Sequence, residues 1–409
     1  KLRHSLGRPS RSDFVQSDVA IELPTGTGKT LIGLLIGEYR RRKFHERVVY
    51  VCPTKQLVYQ TATYAIEKYG IKVVAFTGSK TEYVVEDKMK FTSGQAMAIT
   101  NYSSIFNTNS FFEGTDVLIF DDAHSGEGYI SANWTVELHR EEGTAYYKLL
   151  EELKGILTEE QYDILTKKTV NQSDASWCDM IHNAKLHDKY LNIKNLLDVE
   201  LQESKQRFPW SNIRDNLFAC NIYLSWQAII IRPYISPTLA NNVFRDAKTR
   251  IYMSATLGES GELERAYGVE SIHRLPMVKD WKNKNIGRRF FMFPLASFRE
   301  EETLRILCKI ASRVDRGLII VNDLESQKGI QNIFREGHIA DTFNGHDIEK
   351  SKDPFIKNEH AFAIMANRFD GIDFPDDECR MLILFDLPAA TNIQEKFMIT
   401  RLAARALFE

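Results

Sequence analysis

A glycine-rich stretch near the start of the chain has the residue types that bind a nucleoside triphosphate. It lies between an apolar run (19–23) and a helix-like run (31–39), and it reads Pro24-Thr25-Gly26-Thr27-Gly28-Lys29-Thr30. Its glycines let backbone N–H groups form a concave nest for phosphate, and the following helix points its positive dipole end at the same place. Lys29 would reach the β- and γ-phosphates, and the Thr30 hydroxyl would hold Mg²⁺. A plain surface turn is the alternative, but a strand, a turn and a helix in this order favour the nucleotide site.

An acidic pair at the end of a later apolar run supplies the groups that hydrolysis needs. The run 117–120 is followed directly by Asp121, Asp122, Ala123 and His124. Asp121 can hold Mg²⁺ through its waters, and Asp122 can accept a proton from, or orient, the water that attacks the γ-phosphate. His124 would couple the site to the neighbouring domain. Such a pair is often only a turn or a helix cap, and its place after the glycine-rich stretch favours the catalytic role.

Two later stretches could carry the state of the nucleotide to other parts of the chain. Ser254 and Thr256 end a strand-like run that begins at residue 250, and hydroxyls of that size can bridge the acid pair to nucleic acid. Residues 367–374 follow another apolar run and contain Arg368 and Asp373. They form either a charged turn or a loop that faces the nucleotide across a cleft, and the presence of all the other stretches favours the loop.

Strand-length apolar runs alternate with helix-like segments on both sides of a different middle region. The runs are 19–23, 48–51, 73–76, 96–100, 117–120 and 250–257 in the first part, and 317–323, 361–366 and 381–385 in the second. Buried parallel strands have this composition, and their alternation with helices predicts doubly wound α/β domains. In the middle region, leucine and isoleucine recur at helical spacing from residue 149 to 157, and Thr158 to Gln161 match a capping box.

These patterns predict three parts in a chain of 409 residues, a length that suits two or three domains of about 100–200 residues each. We expect a first α/β domain at residues 1–125 and 226–270, an α-helical insertion at residues 126–225, and a second α/β domain at residues 271–409. The tryptophans in and next to the insertion are expected to anchor cores rather than stack on bases: Trp134, Trp177, Trp210 and Trp226.

The composition excludes several classes of protein. A hydrophobic content of 43% and a charged content of 26% are typical of a soluble globular protein. The net charge of −2 does not indicate a nucleic-acid partner. It does not exclude one either, because a protein that moves along nucleic acid needs a basic channel and not a basic overall charge. Five cysteines, at positions 52, 178, 220, 308 and 379, offer neither a disulfide framework nor a CxxC metal pair, so we expect reduced thiols and a cytoplasmic location. No apolar run approaches 18 residues, so no membrane is expected as a partner.

The motifs together resemble the superfamily 2 helicases of the DEAD/DEAH-box type and, within them, the XPD/DinG-like branch. The matching pieces occur in family order across nearly the whole chain: PTGTGKT, CPTKQL, ITNYSSIF, DDAH, MSATL and NRFDGIDF. The resemblance implies an α/β fold of two RecA-like parallel-sheet domains, with ATP and Mg²⁺ in the cleft and nucleic acid running across both. The insertion stands at the position of that branch's arch domain.

The resemblance also implies roles for individual residues. The catalytic residues would be Lys29, Asp121, Asp122 and His124, and the metal would be held by Thr30 and Asp121. The nucleotide-binding residues would be Pro24, Thr25, Gly26, Thr27, Gly28, Lys29, Thr30 and Asp373. The residues that contact nucleic acid or couple it to the nucleotide would be Thr54, Lys55, Asn101, Tyr102, Ser254, Thr256 and Arg368.

The chain departs from the family pattern in three ways. The iron–sulfur cluster typical of the branch needs four cysteine ligands, and the spread of the five cysteines predicts none. Asp122 stands where the family usually has glutamate, which is one methylene longer. The motif that carries the arginine finger is not found, and because such a residue contributes on the order of 10³–10⁵ in rate, we expect it to lie beyond Glu409.

The sequence therefore predicts an ATP-dependent helicase or translocase that acts on nucleic acid, single-stranded DNA rather than RNA, in DNA repair or genome defence. A partner protein in a repair or defence complex fits this role. Two alternatives stay open. One is a nucleotide-gated module that senses or binds nucleic acid within a multi-protein complex, and the other is an RNA remodeller.

Overall fold

The computed structural model describes residues 17–24, 27–258, 261–276, 290–366, 374, 376–385 and 392–403. The chain divides into two compact units, residues 1–282 with 390–409, and residues 283–389. The described strands are β1 Asp18–Glu22, β2 Val48–Cys52, β3 Val73–Ala75, β4 Met97–Asn101, β5 Val117–Phe120, β6 Val136–His139, β7 Cys178–Ile181, β8 Cys220–Ser225, β9 Ala228–Pro233, β10 Thr249–Ser254, β11 His273–Leu275, β12 Arg316–Val321, β13 Asp341–Asn344, β14 Ala361–Ala366 and β15 Met381–Leu384.

The described α-helices connect these strands. They are α1 Lys29–Phe44, α2 Lys55–Glu67, α3 Val85–Thr92, α4 Tyr102–Ile105, α5 Gly126–Ser131, α6 Thr144–Leu153, α7 Glu159–Thr166, α8 Gln172–Ser176, α9 Tyr190–Glu200, α10 Arg207–Ile213, α11 Asn242–Asp246, α12 Glu262–Tyr267, α13 Glu300–Ala311, α14 Leu324–Glu336, α15 Gly345–Lys350, α16 Asp353–Lys357 and α17 Ile393–Leu402. Within the described ranges, every helix is too short or too polar to cross a lipid bilayer.

A seven-stranded sheet forms the centre of the first unit, in the order β11-β1-β10-β5-β2-β4-β3. Its neighbouring strands run parallel, and β10 lies between β1 and β5. The strand that follows the insertion in sequence therefore pairs directly with the two strands that carry the glycine-rich stretch and the acid pair. Four of the seven strands, β2, β5, β10 and β4, are buried along nearly their whole length, as expected of apolar runs covered on both faces.

The parallel sheet brings the chemical groups to one edge, because the carboxyl ends of parallel strands point the same way. Residues of the glycine-rich stretch follow β1, the acid pair follows β5, and Ser254 ends β10. Helix α1 leaves the glycine-rich stretch and carries Arg41, Arg42 and Lys43 in its last turn. Cations at that end are favoured by the helix dipole.

The insertion departs from the expectation of a purely α-helical segment. It contains a four-stranded sheet in the order β6-β9-β8-β7, whose neighbouring strands are antiparallel, in addition to helices α6 to α10. The hairpin of β8 and β9 crosses the expected boundary at residue 225, and β9 lies wholly beyond it. These strands have only four to six residues, too few to stand out against the strong helical periodicity around residue 150. The capping box at Thr158 is confirmed as the start of α7.

The second unit also contains a parallel sheet, with four described strands in the order β13-β14-β12-β15. The predicted runs 317–323, 361–366 and 381–385 correspond to β12, β14 and β15. The expected α/β fold class with two parallel-sheet domains is therefore confirmed.

Helix α17 belongs to the first unit, although the sequence placed it in the second domain. It packs on the sheet of the insertion, where the Phe397 ring contacts Tyr223 with the ring centroids 6.0 Å apart. The Gln394 side chain donates a hydrogen bond to the Tyr223 hydroxyl at 2.8 Å. The chain therefore returns to the first unit after β15.

Candidate nucleotide site and acid pair

The turn between β1 and α1 has the backbone of a phosphate-binding loop. Gly28 has φ +83°, caps the start of α1 and is exposed. A β-carbon there would meet nothing within 4 Å, so the backbone conformation, not a lack of space, requires glycine. Thr27 closes the turn by donating from its backbone N and its hydroxyl to the Pro24 carbonyl, at 3.2 and 2.6 Å. Thr25 and Gly26 lie outside the described residues.

Close packing fixes the first turns of α1 above the sheet. A β-carbon on Gly33 would come within 2.8 Å of the Tyr50 ring and 2.4 Å of the Met253 side chain. Only a residue without a side chain lets the helix approach β2 and β10 this closely. The helix that starts at Lys29 is therefore held over the strands that carry the other site residues.

The acid pair lies directly beside Lys29. The Lys29 ammonium forms an ion pair with Asp122 Oδ1 and lies 3.8 Å from Asp121 Oδ1. Asp121 is 7% exposed, and burial, together with the negative charge of Asp122, raises the pKa of its carboxyl above the ordinary value. The single positive charge of the ammonium thus offsets part of the repulsion between the two carboxylates in a partly dry site.

The backbone at Asp122 is strained in a way common at functional sites. Its φ of +46° and ψ of +51° lie in the left-handed region, which residues with a side chain seldom adopt. Its N–H donates to Asp121 Oδ1 at 3.0 Å, and the Ser125 hydroxyl donates to its carbonyl at 2.8 Å. These contacts fix the backbone of the acid pair, and both of its carboxylates lie within 4 Å of the Lys29 ammonium.

Tyr50 is a site residue that the motifs did not indicate. Its hydroxyl donates to Asp121 Oδ2 at 2.7 Å and lies beside the Thr30 side chain. Burial and the nearby Asp121 carboxylate raise the pKa of Tyr50 well above the ordinary value, so the hydroxyl stays a neutral donor. Tyr50 thus links the two residues expected to hold the metal. Its position in the middle of a buried apolar strand gave no signal, since a tyrosine there usually serves packing.

The residues present fit a Mg²⁺ ion that is shared with nucleotide phosphates. Asp121 offers a carboxylate at the open edge of the sheet, and Thr30 offers a hydroxyl one residue after Lys29. Among the described residues, no group of three or more His, Cys, Asp or Glu side chains could hold a metal ion alone. Mg²⁺ usually binds one or two carboxylates together with substrate phosphates, so this small donor set is the one expected.

His124 and Ser254 meet across the sheet edge. The His124 Nδ1 atom lies 2.7 Å from Ser254 Oγ, although the residues are 130 positions apart in sequence. Ser254 is fully buried, whereas His124 is exposed. The Thr256 backbone N–H donates to the same Ser254 hydroxyl at 3.2 Å, and the Thr256 side chain is exposed. The structure therefore joins His124, which follows the acid pair, to Ser254 at the end of β10.

The remaining predicted coupling residues of the first unit lie at helix starts beside the same sheet edge. Thr54 caps α2 by accepting a hydrogen bond from the Leu57 N–H at 3.3 Å, and Lys55 is exposed in the first turn. Asn101 caps α4 by accepting from the Ser104 N–H at 3.1 Å. Capping uses one acceptor of Thr54 and Asn101 and leaves Lys55 free to meet a phosphate from solvent.

Tyr102 cannot contact nucleic acid, because its side chain is fully buried. Its hydroxyl donates to the Asp121 carbonyl at 3.1 Å and lies 2.9 Å from the Tyr267 hydroxyl. Tyr102 therefore supports the backbone of the acid pair. Of the two roles expected for Tyr102, this position allows coupling but not contact with nucleic acid. Arg368 and Asp373 of the second unit lie outside the described residues.

Comparison with known proteins agrees with this geometry. The family model described as the type III restriction enzyme res subunit (ResIII) matches residues 11–154, which include the glycine-rich stretch and the acid pair. No curated protein matches the chain. An XPD structure in the apo form is similar in fold, with a TM-score of 0.57 and 14% identity over 94% of this chain and 84% of that one. A second XPD helicase structure has a TM-score of 0.52 and 13% identity over the same shares.

At these identities the structural likeness establishes the fold alone, and the family match covers the residues of the glycine-rich stretch and of the acid pair. The two parallel sheets correspond to the two RecA-like domains of such helicases. The glycine-rich stretch, the paired lysine and acid residues and the ResIII match coincide in the first of them. Residues 11–154 thus match the ResIII family model, and the chain shares its α/β fold with the XPD structures.

Proposed function

We propose that the chain is an ATP-dependent helicase or translocase that moves along single-stranded DNA and uses ATP and Mg²⁺ to drive its steps. The observation that carries the proposal is the Lys29 ammonium held between two carboxylates beside the exposed start of α1. Lys29, Asp121 and Asp122 stand where a triphosphate would replace the internal ion pair. The choice of DNA over RNA rests on the sequence resemblance to the XPD/DinG-like branch.

The residues of the first unit would divide the chemistry between them. The backbone N–H groups around Gly28 and the Lys29 ammonium would bind the phosphates, while Thr30 and Asp121 would hold Mg²⁺, which neutralises phosphate charge when bound. Asp122 would accept a hydrogen bond from the attacking water and orient it. When the Lys29 ammonium turns to the phosphates, its ion pair with Asp122 would open. The Asp122 carboxylate would then be available to the water.

The proposal also includes the division into domains, the roles of two residues of the second domain, and the biological role. We propose that the seven-stranded sheet, which includes β11, belongs to the first RecA-like domain, that the insertion extends through β9, and that the four-stranded parallel sheet of the second unit belongs to the second RecA-like domain. Arg368 and Asp373 would contact nucleic acid or nucleotide from that second domain. A role in DNA repair or genome defence, with a partner protein and in the cytoplasm, belongs to the same proposal.

The contact between His124 and Ser254 should carry the signal between nucleotide and nucleic acid. We expect His124→Ala to leave ATP turnover without nucleic acid within about twofold and to reduce its stimulation by single strands about tenfold, because coupling contacts are typically worth 0.5–2 kcal/mol. The measurement is the rate of ATP hydrolysis with and without a single-stranded oligonucleotide. His139→Ala is the matched control, since His139 is exposed and lies beside Glu137 away from this contact. Full stimulation in His124→Ala would contradict the assignment.

The function itself is tested by ATP hydrolysis and strand separation with four substrates: single- and double-stranded DNA and RNA. We expect single-stranded DNA to give the largest stimulation and a tailed duplex to be unwound with ATP. Equal hydrolysis with and without every nucleic acid would contradict the motor. Changes of affinity with ATP but no unwinding or movement would favour the nucleotide-gated binding module. A preference for RNA strands would favour the RNA remodeller.

A further inference from the structure

A polar cavity of about 150 Å³ lies in the first unit, between the parallel-sheet domain and the insertion. Its walls come from three places in the sequence. Phe106 and Asn107 follow α4, Trp134 and Asn212 belong to the insertion, and Asn242 starts α11. Asn107 and Asn242 are exposed, so the cavity can be reached from solvent. It is formed by other residues than those of the nucleotide site.

Several polar groups of this cavity are without partners in the part of the chain that the structure describes. Trp134 is 4% exposed as a residue, and its indole N–H, which is not one of the fully buried polar atoms, donates to no described residue and is therefore available to a ligand. Asn212 donates its amide N–H to the Asn133 carbonyl at 2.7 Å and leaves its side-chain oxygen without a donor. The Asn242 side chain has no partner on either atom. The cavity therefore presents unused donors and acceptors around an aromatic wall.

The loop that forms the rim is itself fixed. Asn241 donates from its side-chain amide to the Ile105 carbonyl at 3.1 Å and accepts from the Phe244 N–H at 3.0 Å. The Ser110 hydroxyl donates to the Ser104 carbonyl at 2.7 Å. These bonds hold the two loops that face the insertion, so the cavity is preformed, as ligand sites usually are.

We infer that this cavity binds a single pyrimidine base. A volume of about 150 Å³ is that of a cavity that holds one benzene-sized ring, so a six-membered heterocycle fills the space, whereas part of a purine would extend out of the opening. Asparagine amides and an indole N–H match the alternating donors and acceptors of a base edge. The single charged lining residue, Glu113, is acidic and exposed, so the phosphates of a nucleotide must stay outside.

The base can come from two sources with the same chemistry. A free pyrimidine nucleoside could enter from solvent, or a base of a bound strand could turn into the cavity. The second source rests on the proposed action on single strands. In either case an occupant would contact both Trp134 and Asn242, and so would tie the insertion to the parallel-sheet domain.

The test measures binding of free nucleosides and of short single strands to the full chain and to two variants. Trp134→Phe keeps an aromatic wall and removes the N–H. Asn242→Ala removes an amide at the rim of the cavity and leaves the core unchanged. The second variant therefore still tests the inference if the first one fails to fold. Asn192→Ala is the control, because Asn192 pairs with Glu152 outside the cavity. Calorimetry with cytidine, uridine and adenosine measures the binding of free nucleosides. Competition with homopolymeric oligonucleotides measures the binding of bases that belong to a strand.

We expect pyrimidines to bind more tightly than adenosine and each cavity variant to weaken pyrimidine binding about fivefold, the effect of one lost hydrogen bond. Binding of nucleosides identifies the free source, whereas a loss of affinity only for pyrimidine oligonucleotides identifies the strand. The inference is overturned if neither ligand distinguishes the variants from wild type, or if adenosine binds as well as pyrimidines. Stimulation of ATP hydrolysis by single strands should persist in the variants, so a failed motor and a failed cavity give different results.

Discussion

Replacing Lys29 by alanine is expected to lower the turnover number for ATP about 10²–10³-fold, the effect of removing one preorganised charge at a reacting centre. The ammonium is the only described cation that contacts both Asp121 and Asp122. Without it, no positive charge of the protein at this position would meet the phosphates. The two carboxylates would also repel the triphosphate. The measurement is steady-state hydrolysis at saturating single-stranded DNA.

Lys43→Ala is the matched control for this variant. Lys43 lies in the last turn of the same helix, is exposed and is far along α1 from the glycine-rich stretch. It should keep wild-type turnover. Circular dichroism should show that both variants are folded. If the Lys29 variant hydrolyses ATP within about threefold of wild type, the roles given to the ion pair are wrong, since electrostatic groups of this kind contribute far more.

The chemistry of this site could be predicted from sequence because it is local. Glycines, a lysine and a threonine in seven consecutive positions define the loop, and the turn at Gly28 follows from residue type. The acid pair at the end of β5 is equally local, since the apolar run and the two aspartates are adjacent. Each motif contains both the strand and the groups that its end presents.

The contacts between motifs could not be predicted in the same way. Tyr50 reaches Asp121 only because β2 pairs with β5 in a register that places Val51 opposite Phe120. Tyr102 was expected either to contact nucleic acid or to couple it to the nucleotide, and α4 places its buried side chain against the backbone of the acid pair. Register and helix orientation depend on the whole sheet, so no short pattern contains them.

The strands of the insertion were missed because its helical pattern was stronger than theirs. Its helices have periodic patterns, whereas its strands are short and scattered along it, with β6 near its start, β7 in its middle and β8 and β9 at its end. Strands β6 and β9 pair although about 90 residues separate them. An antiparallel sheet assembled from such distant pieces has no local signature, and the helical part therefore dominated the prediction.

A buried ion pair at the other end of the same sheet was also hidden from sequence. Arg250 donates to both carboxylate oxygens of Asp18, each at 2.7 Å, and the Tyr252 hydroxyl donates to Asp18 at 2.6 Å. Asp18 and Arg250 are each 7% exposed and lie opposite each other in β1 and β10. The pair thus joins the strand of the glycine-rich stretch to the strand that follows the insertion.

Asp18→Asn should lower the free energy of unfolding of the first unit by about 3–5 kcal/mol at pH 7, because it keeps the shape but leaves the Arg250 charge buried without a counterion. Burial alone would raise the pKa of Asp18, but hydrogen bonds from Arg250, Tyr252 and Ser17 outweigh burial and hold the pKa below its ordinary value. The contribution of the carboxylate is therefore complete above the unfolded-state pKa of about 3.9 and is lost as the pH falls through the lower folded-state value. The gap between wild type and variant should shrink only in acid.

Urea unfolding followed by tryptophan fluorescence measures this loss in the first unit, since the four tryptophans that the structure describes all belong to that unit. Asp246→Asn is the matched control. Asp246 also forms an ion pair with an arginine, Arg245, but both side chains are about half exposed, and such surface pairs are worth about 0–1 kcal/mol. If the two variants lose equal stability, or if the Asp18 variant differs from wild type equally at pH 7 and in strong acid, the charge of Asp18 does not hold β1 to β10. The sheet edge that presents Lys29 would then depend on packing alone.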